Sequence, residues 1–407
     1  MASPAFAPAA VRRLAVIRLQ LSNFRCYGSL RLDVDQRPVV LTGPNGAGKT
    51  NLLEALSFLV PGRGLGRARL GDASRHKNAD QPAPLLPWAV AAVVETAAGA
   101  LDVGTGYAPV VEADGETRAA RRTVRIDGSD ASGQAALGEH LSAMWLTPDM
   151  DRLFSDGAGA RRRFLDRLVF GFDPAHSGRL TAYDRALRER TRQLRDGGPG
   201  GAPVDSAWLD AVEETIAGRG IAIAAARADL VRRLDVACGA GIGPFPAARM
   251  ALPGAVEDWL SDMPALEAED RFRAGLAASR PRDRDAGGAQ LGPHRADLVV
   301  THRERGVPAA GCSTGEQKAL LISIVLSAAR LQTLERGQAP LLLMDEVGAH
   351  LDAPRRAALF DEIIAMGTQA WMTGTEHDQF APLGDAAQFF EVETARLTRA
   401  DAPLAAS

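Results

Sequence analysis

Apolar and polar positions alternate over residues 16–21 and again over 30–34, the period-two pattern of half-buried strands. Val39, Val40, Leu41 and Thr42 form an unbroken run instead, as a strand covered on both faces would, and it leads straight into a glycine-rich segment. Over residues 50–60 the period lengthens: Leu52, Leu53, Ala55, Leu56 and Leu59 fall at helical spacing. Strand patterns return over 89–95, 100–104 and 123–126, with turn-forming pairs at Asp114-Gly115 and Asp127-Gly128.

From Thr147 the pattern is helical, with candidates over 161–170, 179–195, 206–237 and 256–278. Gly/Pro-rich loops at 196–203 and 281–292 separate them. A helix then runs from Gly315 to about residue 334, followed by a buried strand at 341–344, a helix at 355–366 and a strand at 369–372. The fold class expected is α/β: an ATPase-type lobe of mixed sheet and helices built from both ends of the chain, with a mostly helical lobe inserted between. The expected boundaries are a disordered leader at 1–12, the first lobe at 13–146, the insert at 147–288, the return to the first lobe at 289–397, and a tail at 398–407. The helices of the insert are too short and too broken by Gly and Pro for a long coiled coil.

Composition narrows the class. At 407 residues the chain can bury a sizeable core. Its longest apolar stretch, Ile221 to Ala226, is Ala-rich and ends at Arg227, so no membrane span is expected. Cys26, Cys238 and Cys312 are scattered, with neither disulfide nor metal spacing, which suits a reducing cytoplasm. Net charge is −3, so any nucleic-acid contact must use a local basic face. Arginines cluster at Arg63 and Arg67, at Arg161, Arg162 and Arg163, and along 179–195, where their helical spacing predicts a solvated face for most of them.

The candidate chemistry is a nucleotide site. Gly43-Pro44-Asn45-Gly46-Ala47-Gly48-Lys49-Thr50, between a strand and a helix, has the form of a phosphate-binding loop. Its glycines let backbone N–H groups turn toward phosphates, and the helix adds its N-terminal dipole. Lys49 is expected at the β- and γ-phosphates of ATP and Thr50 at Mg²⁺. Asp345, at the end of an apolar run, is a second Mg²⁺ candidate, and Glu346 the group that orients or deprotonates the attacking water. Ser313-Thr314-Gly315-Glu316 opens the helix before that strand. Read alone it is a capping box; beside the other motifs it is a second phosphate sensor, Ser313 and Gly315 being its candidate contacts.

With these motifs the chain resembles the RecF family, bacterial recombination-mediator ATPases related to SMC proteins. The resemblance rests on Asn23-Phe24-Arg25, on the phosphate loop continuing into Asn51-Leu52-Leu53-Glu54-Ala55-Leu56, and on Gly62-Arg63 with Arg67. It rests also on Thr147-Pro148-Asp149 with Arg161 to Arg167, and above all on Leu291-Gly292-Pro293-His294-Arg295-Ala296-Asp297-Leu298. It implies an ATP-dependent homodimer, in which the Ser–Gly segment of one copy closes on the nucleotide of another, and slow ATP hydrolysis. It adds Arg25 and Asn51 to the nucleotide contacts. It implies duplex or gapped DNA with single-strand/double-strand junctions as ligand, and RecR and RecO as partners in loading RecA. Arg63, Arg67, Arg161, Arg162 and Arg163 are the candidate DNA contacts. His294 and Arg295 have two readings: a structural turn in which Arg295 pairs with an acid, or a coupling element toward nucleotide or DNA.

The chain departs from the wider ABC pattern. No Mg²⁺-sensing Gln precedes Thr147, where Met144 and Trp145 stand. Thr373-Gly374-Thr375 stands where a switch His is usual, with Thr375 and His377 as candidate replacements, and His350 is a candidate contact across the dimer. These gaps suit a slow switch better than a motor. A transport-type ABC subunit is the rival reading, but Ser313 follows the phosphate loop at far greater distance than in that class.

Overall fold

A computed structural model describes residues 14–66, 69–75, 86–111, 117–118, 122–196, 206–349 and 351–403. The expected leader, Arg67, the Asp114-Gly115 turn, most of the 196–203 loop, His350 and the end of the tail lie outside them.

The chain divides into two compact units, one of residues up to Pro148 and from Ala328 onward, the other Asp149–Ser327. The second boundary falls inside the helix Thr314–Arg336, so residues 289–327 belong to the second unit.

In the first unit, a parallel sheet carries the all-buried strand Leu341–Met344 between Ala143–Leu146 and Ala370–Gly374; Val39–Thr42 and Gln388–Glu393 follow in the same direction. Strands covered on both faces leave no polar side to alternate, which is why these stretches read as apolar runs. Arg396–Ala400 closes one edge antiparallel to Gln388–Glu393. Residues 398–400, expected in the tail, are therefore strand; backbone pairing to Phe389–Glu391 holds a segment whose own side chains are unremarkable.

The second sheet of this unit is antiparallel, built on Ala15–Phe24, Tyr27–Asp33, Trp88–Thr96, Gly99–Tyr107 and Thr123–Ile126. Asp127 and Gly128 both have positive φ, as a two-residue hairpin requires. Gln369 binds the sheets together: its Oε1 accepts from Val16 N–H at 2.9 Å, and its Nε2 donates to Val16 O at 3.0 Å and Asp35 O at 2.7 Å. Phe24, Phe58 and Trp88 interlock with centroids 5.2–5.8 Å apart, fixing the helix Lys49–Ser57 and the chain after it to the antiparallel sheet.

The second unit is built on Ala158–Phe172, His176–Asp196, Ser206–Gly239 and Ala265–Ala278. Gly220 lets two of these approach closely, since a Cβ there would lie 2.6 Å from the Phe272 ring. The expected helix 256–278 is two helices, Ala255–Asp262 and Ala265–Ala278, because Pro264 between them cannot continue the first. The expected linker 281–292 opens with the short helix Arg280–Asp285. A three-stranded sheet of Ala248–Ala251, Val299–His302 and Val307–Pro308 qualifies the mostly helical reading of the insert; these strands are too short to show a period.

Candidate nucleotide-binding site

The loop after Val39–Thr42 turns on glycines that have no substitute. Gly43, Gly46 and Gly48 all have positive φ. A Cβ on Gly43 would lie 2.2 Å from Val392 O, and one on Gly48 would lie 2.8 Å from Cys26 Sγ. Gly48 caps the helix Lys49–Ser57, whose first N–H groups have no carbonyl inside the helix to bond. Lys49 is 5% exposed and its Nζ donates to Gly43 O at 2.6 Å and Pro44 O at 2.9 Å, folded over the loop it serves. Burial pulls its pKa below the ordinary lysine range, against the opposing pull of Glu346 and Asp345. A buried ammonium whose neighbours are carbonyls and carboxylates is suited to a phosphate anion.

Thr50 Oγ1 lies 2.9 and 3.0 Å from the two carboxylate oxygens of Asp345, 295 residues away in sequence. Thr373 Oγ1 donates to the same carboxylate at 2.6 Å and accepts the Glu346 N–H at 2.9 Å. Glu346 itself has φ 50, a left-handed conformation seldom adopted by a non-glycine residue. Among the described residues no group of three or more His, Cys, Asp or Glu could hold a metal. A hydroxyl and one carboxylate side by side, next to a phosphate cradle, instead fit a Mg²⁺ that takes its remaining oxygens from nucleotide and water.

A family profile described as RecF/RecN/SMC N terminal domain matches residues 15–396. The DNA replication and repair protein RecF of Rhizobium meliloti (strain 1021) is 45% identical over 388 residues, 95% of this chain and 99% of that one. The protein of the same name from Rhizobium etli is 46% identical over 387 residues, with the same coverage. The chain belongs to the RecF family. A solved structure described as the recombination mediator protein RecF-ATP in the RecFOR pathway matches with TM-score 0.78 at 19% identity, over 95% of this chain and 98% of that one. An Smc head domain with extended coiled coil from Pyrococcus furiosus matches with TM-score 0.53 at 14% identity, over 95% and 96%. These two are likenesses of fold.

Other residues singled out in this RecF-family chain are placed less uniformly. Arg25 forks onto Glu54 at 2.6 and 2.7 Å and its Nη1 donates to Asp72 O at 2.7 Å, with the side chain 26% exposed. Asn51 Nδ2 donates to Cys26 Sγ at 3.1 Å, beside Gly48. His377 Nδ1 lies 3.5 Å from Thr42 Oγ1, and its Nε2 lies 2.9 Å from Asp401 O. Thr373, not Thr375, is the residue of that stretch that touches Asp345; the sequence offered no sign of it, since a Thr inside a buried strand is ordinary.

In the second unit, Ser313 and Glu316 form the reciprocal cap: Ser313 N–H and Oγ both bond Glu316 Oε2, at 2.9 and 3.0 Å. Arg305 pairs with the same carboxylate, and a Cβ on Gly315 would meet nothing within 4 Å. The Ser313 backbone N–H, then its hydroxyl, hold the Glu316 pKa below the usual glutamate range.

Of the Arg161–Arg163 cluster, Arg161 grips Asp297 through two 2.8 Å bonds and Arg162 donates to Ala296 O at 2.6 Å, leaving Arg163 exposed. Most of the arginines of 179–195 are exposed, as expected, with Arg190 the exception: it is fully buried and bonds Glu213 at 2.7 Å, Asp283 at 3.0 Å and Leu276 O at 2.7 Å. Arg295 donates to the carbonyl of Ala289, at 2.8 and 3.2 Å, rather than to the acid expected. His294 accepts from Tyr183 Oη at 2.7 Å and its Nε2–H donates to the same Ala289 carbonyl at 2.9 Å. Burial lowers its pKa, so the neutral ring that this pairing needs is favoured.

Proposed function

We propose that this protein is an ATP-dependent DNA-binding switch of replication and recombinational repair. The observation that carries the reading is the Thr50–Asp345 contact, which joins the two halves of a nucleotide site from opposite ends of the chain. Gly43, Pro44, Asn45, Gly46, Ala47 and Gly48 would wrap the phosphates of ATP, with Lys49 as their cation and Asn51 beside them. Thr50 and Asp345 would hold Mg²⁺, which would supply charge neutralisation to the triphosphate. Glu346 would orient and deprotonate the attacking water, held by its bond to Thr373. Arg25, held by Glu54 on the helix that follows the loop, would add a further cation to the nucleotide site.

ATP would promote a homodimer in which Ser313 and Gly315 of each copy close on the nucleotide of the other. The dimer would clamp duplex or gapped DNA at single-strand/double-strand junctions. Arg63, Arg67 and Arg163 are the arginines proposed to face it; Arg161 and Arg162 are held by Asp297 and Ala296. Working in the cytoplasm with RecR and RecO, it would promote RecA loading, and slow, DNA-stimulated hydrolysis would reset it. Among the described residues no helix is long and apolar enough to cross a membrane.

Light scattering with and without ATP tests the clamp. The parent should dimerise with ATP, and Lys49→Arg and Ser313→Arg should stay monomeric. A parent that stays monomeric with saturating ATP overturns the reading. Duplex DNA should raise ATP turnover, which separates this reading from a transport subunit.

A further inference from the structure

The helix His176–Asp196 carries Arg185, Arg188, Arg192 and Arg195 on one exposed stripe. Beside the last three lies a cavity of about 460 Å³. Its lining adds Arg295 from the turn after Gly292, and it includes no carboxylate and no Phe, Tyr or Trp side chain. The floor is fixed: His294 is pinned between Tyr183 and Ala289, and Gly288 lies beside them.

These guanidinium groups have few acids to answer them. Arg295 is anchored on a carbonyl, which leaves its charge uncancelled. Arg188 donates to Asp184 O, again a carbonyl. Arg192 pairs with Glu189, and Arg195 with the neighbouring Asp196, both at the helix surface. Exposed pairs of that kind are weak and exchange readily for a better anion. In a chain of net charge −3, four arginines around one concavity are a local concentration of positive potential. The guanidinium fork matches phosphate oxygens two at a time. With no Phe, Tyr or Trp in the lining to stack on a base, and with the His294 ring held by Tyr183 and Ala289, the cavity would read backbone and not sequence.

We propose that this cavity is a phosphate-binding site that seats the backbone of a DNA strand. It rests on the DNA-binding reading above, and locates a contact that neither the phosphate loop nor the Arg161–Arg163 cluster supplies.

The test compares Arg188→Glu, which changes the cavity, with Arg185→Glu, the same charge change on the same stripe outside it. Binding of a labelled duplex with a single-stranded overhang is followed by anisotropy across a salt series, on full-length protein with ATP. Arg188→Glu should weaken binding about tenfold or more and flatten the salt slope by about one. Arg185→Glu should change it by less than about twofold. Equal losses in both variants, or none in either, overturn the proposal while leaving DNA binding by the parent intact. In a second arm, tripolyphosphate is added to the Lys49→Ala protein with and without Arg188→Glu, and its thermal stabilisation is read. If the parent binds no DNA but this stabilisation depends on Arg188, the phosphate site stands with a free polyphosphate as its source and the DNA reading fails. Should Arg188→Glu not fold, Arg188→Gln replaces it, with matched melting temperature as the criterion.

Discussion

Thr373 Oγ1 lies 2.6 Å from Asp345 Oδ1 and accepts the backbone N–H of Glu346 at 2.9 Å. A single hydroxyl thus fixes the two acids proposed for metal and water, one by its side chain and the other by its backbone. Thr373→Val keeps the shape and removes both bonds. Turnover should fall about 10- to 100-fold, as for other groups that orient metal ligands, with a raised Mg²⁺ requirement and little change in nucleotide affinity. An unaltered Mg²⁺ dependence would assign Thr373 to packing alone.

Cys26 is exposed, receives the Asn51 amide at 3.1 Å, and lies where a side chain on Gly48 would be. Cys238 and Cys312 are buried. A maleimide should therefore label Cys26 first and block ATP binding, and ATP should slow the labelling. Cys26→Ser should bind ATP and resist the reagent. Labelled protein that binds ATP normally contradicts this placement.

Arg190 is buried against Glu213 and Asp283. Arg190→Met removes the cation paired with Asp283 and leaves Glu213 to Arg280; the buried charge left at Asp283 should cost about 3–5 kcal/mol of stability, read from chemical denaturation. Arg185→Ala, on the exposed side of the same helix, should stay within about 0.5 kcal/mol.

His294 has its pKa lowered by burial first, with the charges of Arg295, Arg162 and Arg227 adding to it. A depressed folded-state pKa means the unfolded chain binds more protons below the ordinary histidine value of about 6.5. Stability from this group is present above that value and lost as pH falls toward the folded pKa. The loss between neutral and mildly acidic pH should be smaller in His294→Gln, measured by melting temperature across that range. Identical pH profiles would show that the ring takes up a proton without penalty.

Glu257 behaves in the opposite sense. It is 4% exposed, neither carboxylate oxygen has a hydrogen-bond partner, and burial raises its pKa. Its contribution is present below the ordinary glutamate range and lost as pH rises through the folded pKa. Glu257→Gln should raise the melting temperature by roughly a few degrees at neutral pH, and the gain should vanish in acid. A loss at neutral pH would reveal a cation or helix-end contact outweighing desolvation.

The elements that the sequence made legible are those whose period or punctuation is local. Val39–Thr42 and Leu341–Met344 stand out as apolar runs because both faces are covered. The phosphate loop is legible because its glycines are required by backbone conformation and close approach. Elements recognisable only through their partners were hidden. Ala248–Ala251 is strand because Val299–His302 lies beside it, and Arg396–Ala400 because Gln388–Glu393 does.

By itself the sequence determined the α/β class, the phosphate loop and its distant acidic strand, and the RecF resemblance, because local sterics and burial write those features into residue type and spacing. Only tertiary structure decided which charges are spent inside the protein. In the sequence Arg161 and Arg162 are candidate DNA contacts and Arg190 one of a run of helix arginines; only folding brings Asp297, Ala296 and Glu213 to them from distant positions. A guanidinium's role depends on whether a carboxylate or carbonyl meets it at hydrogen-bond distance, and chain folding, not local spacing, sets that distance.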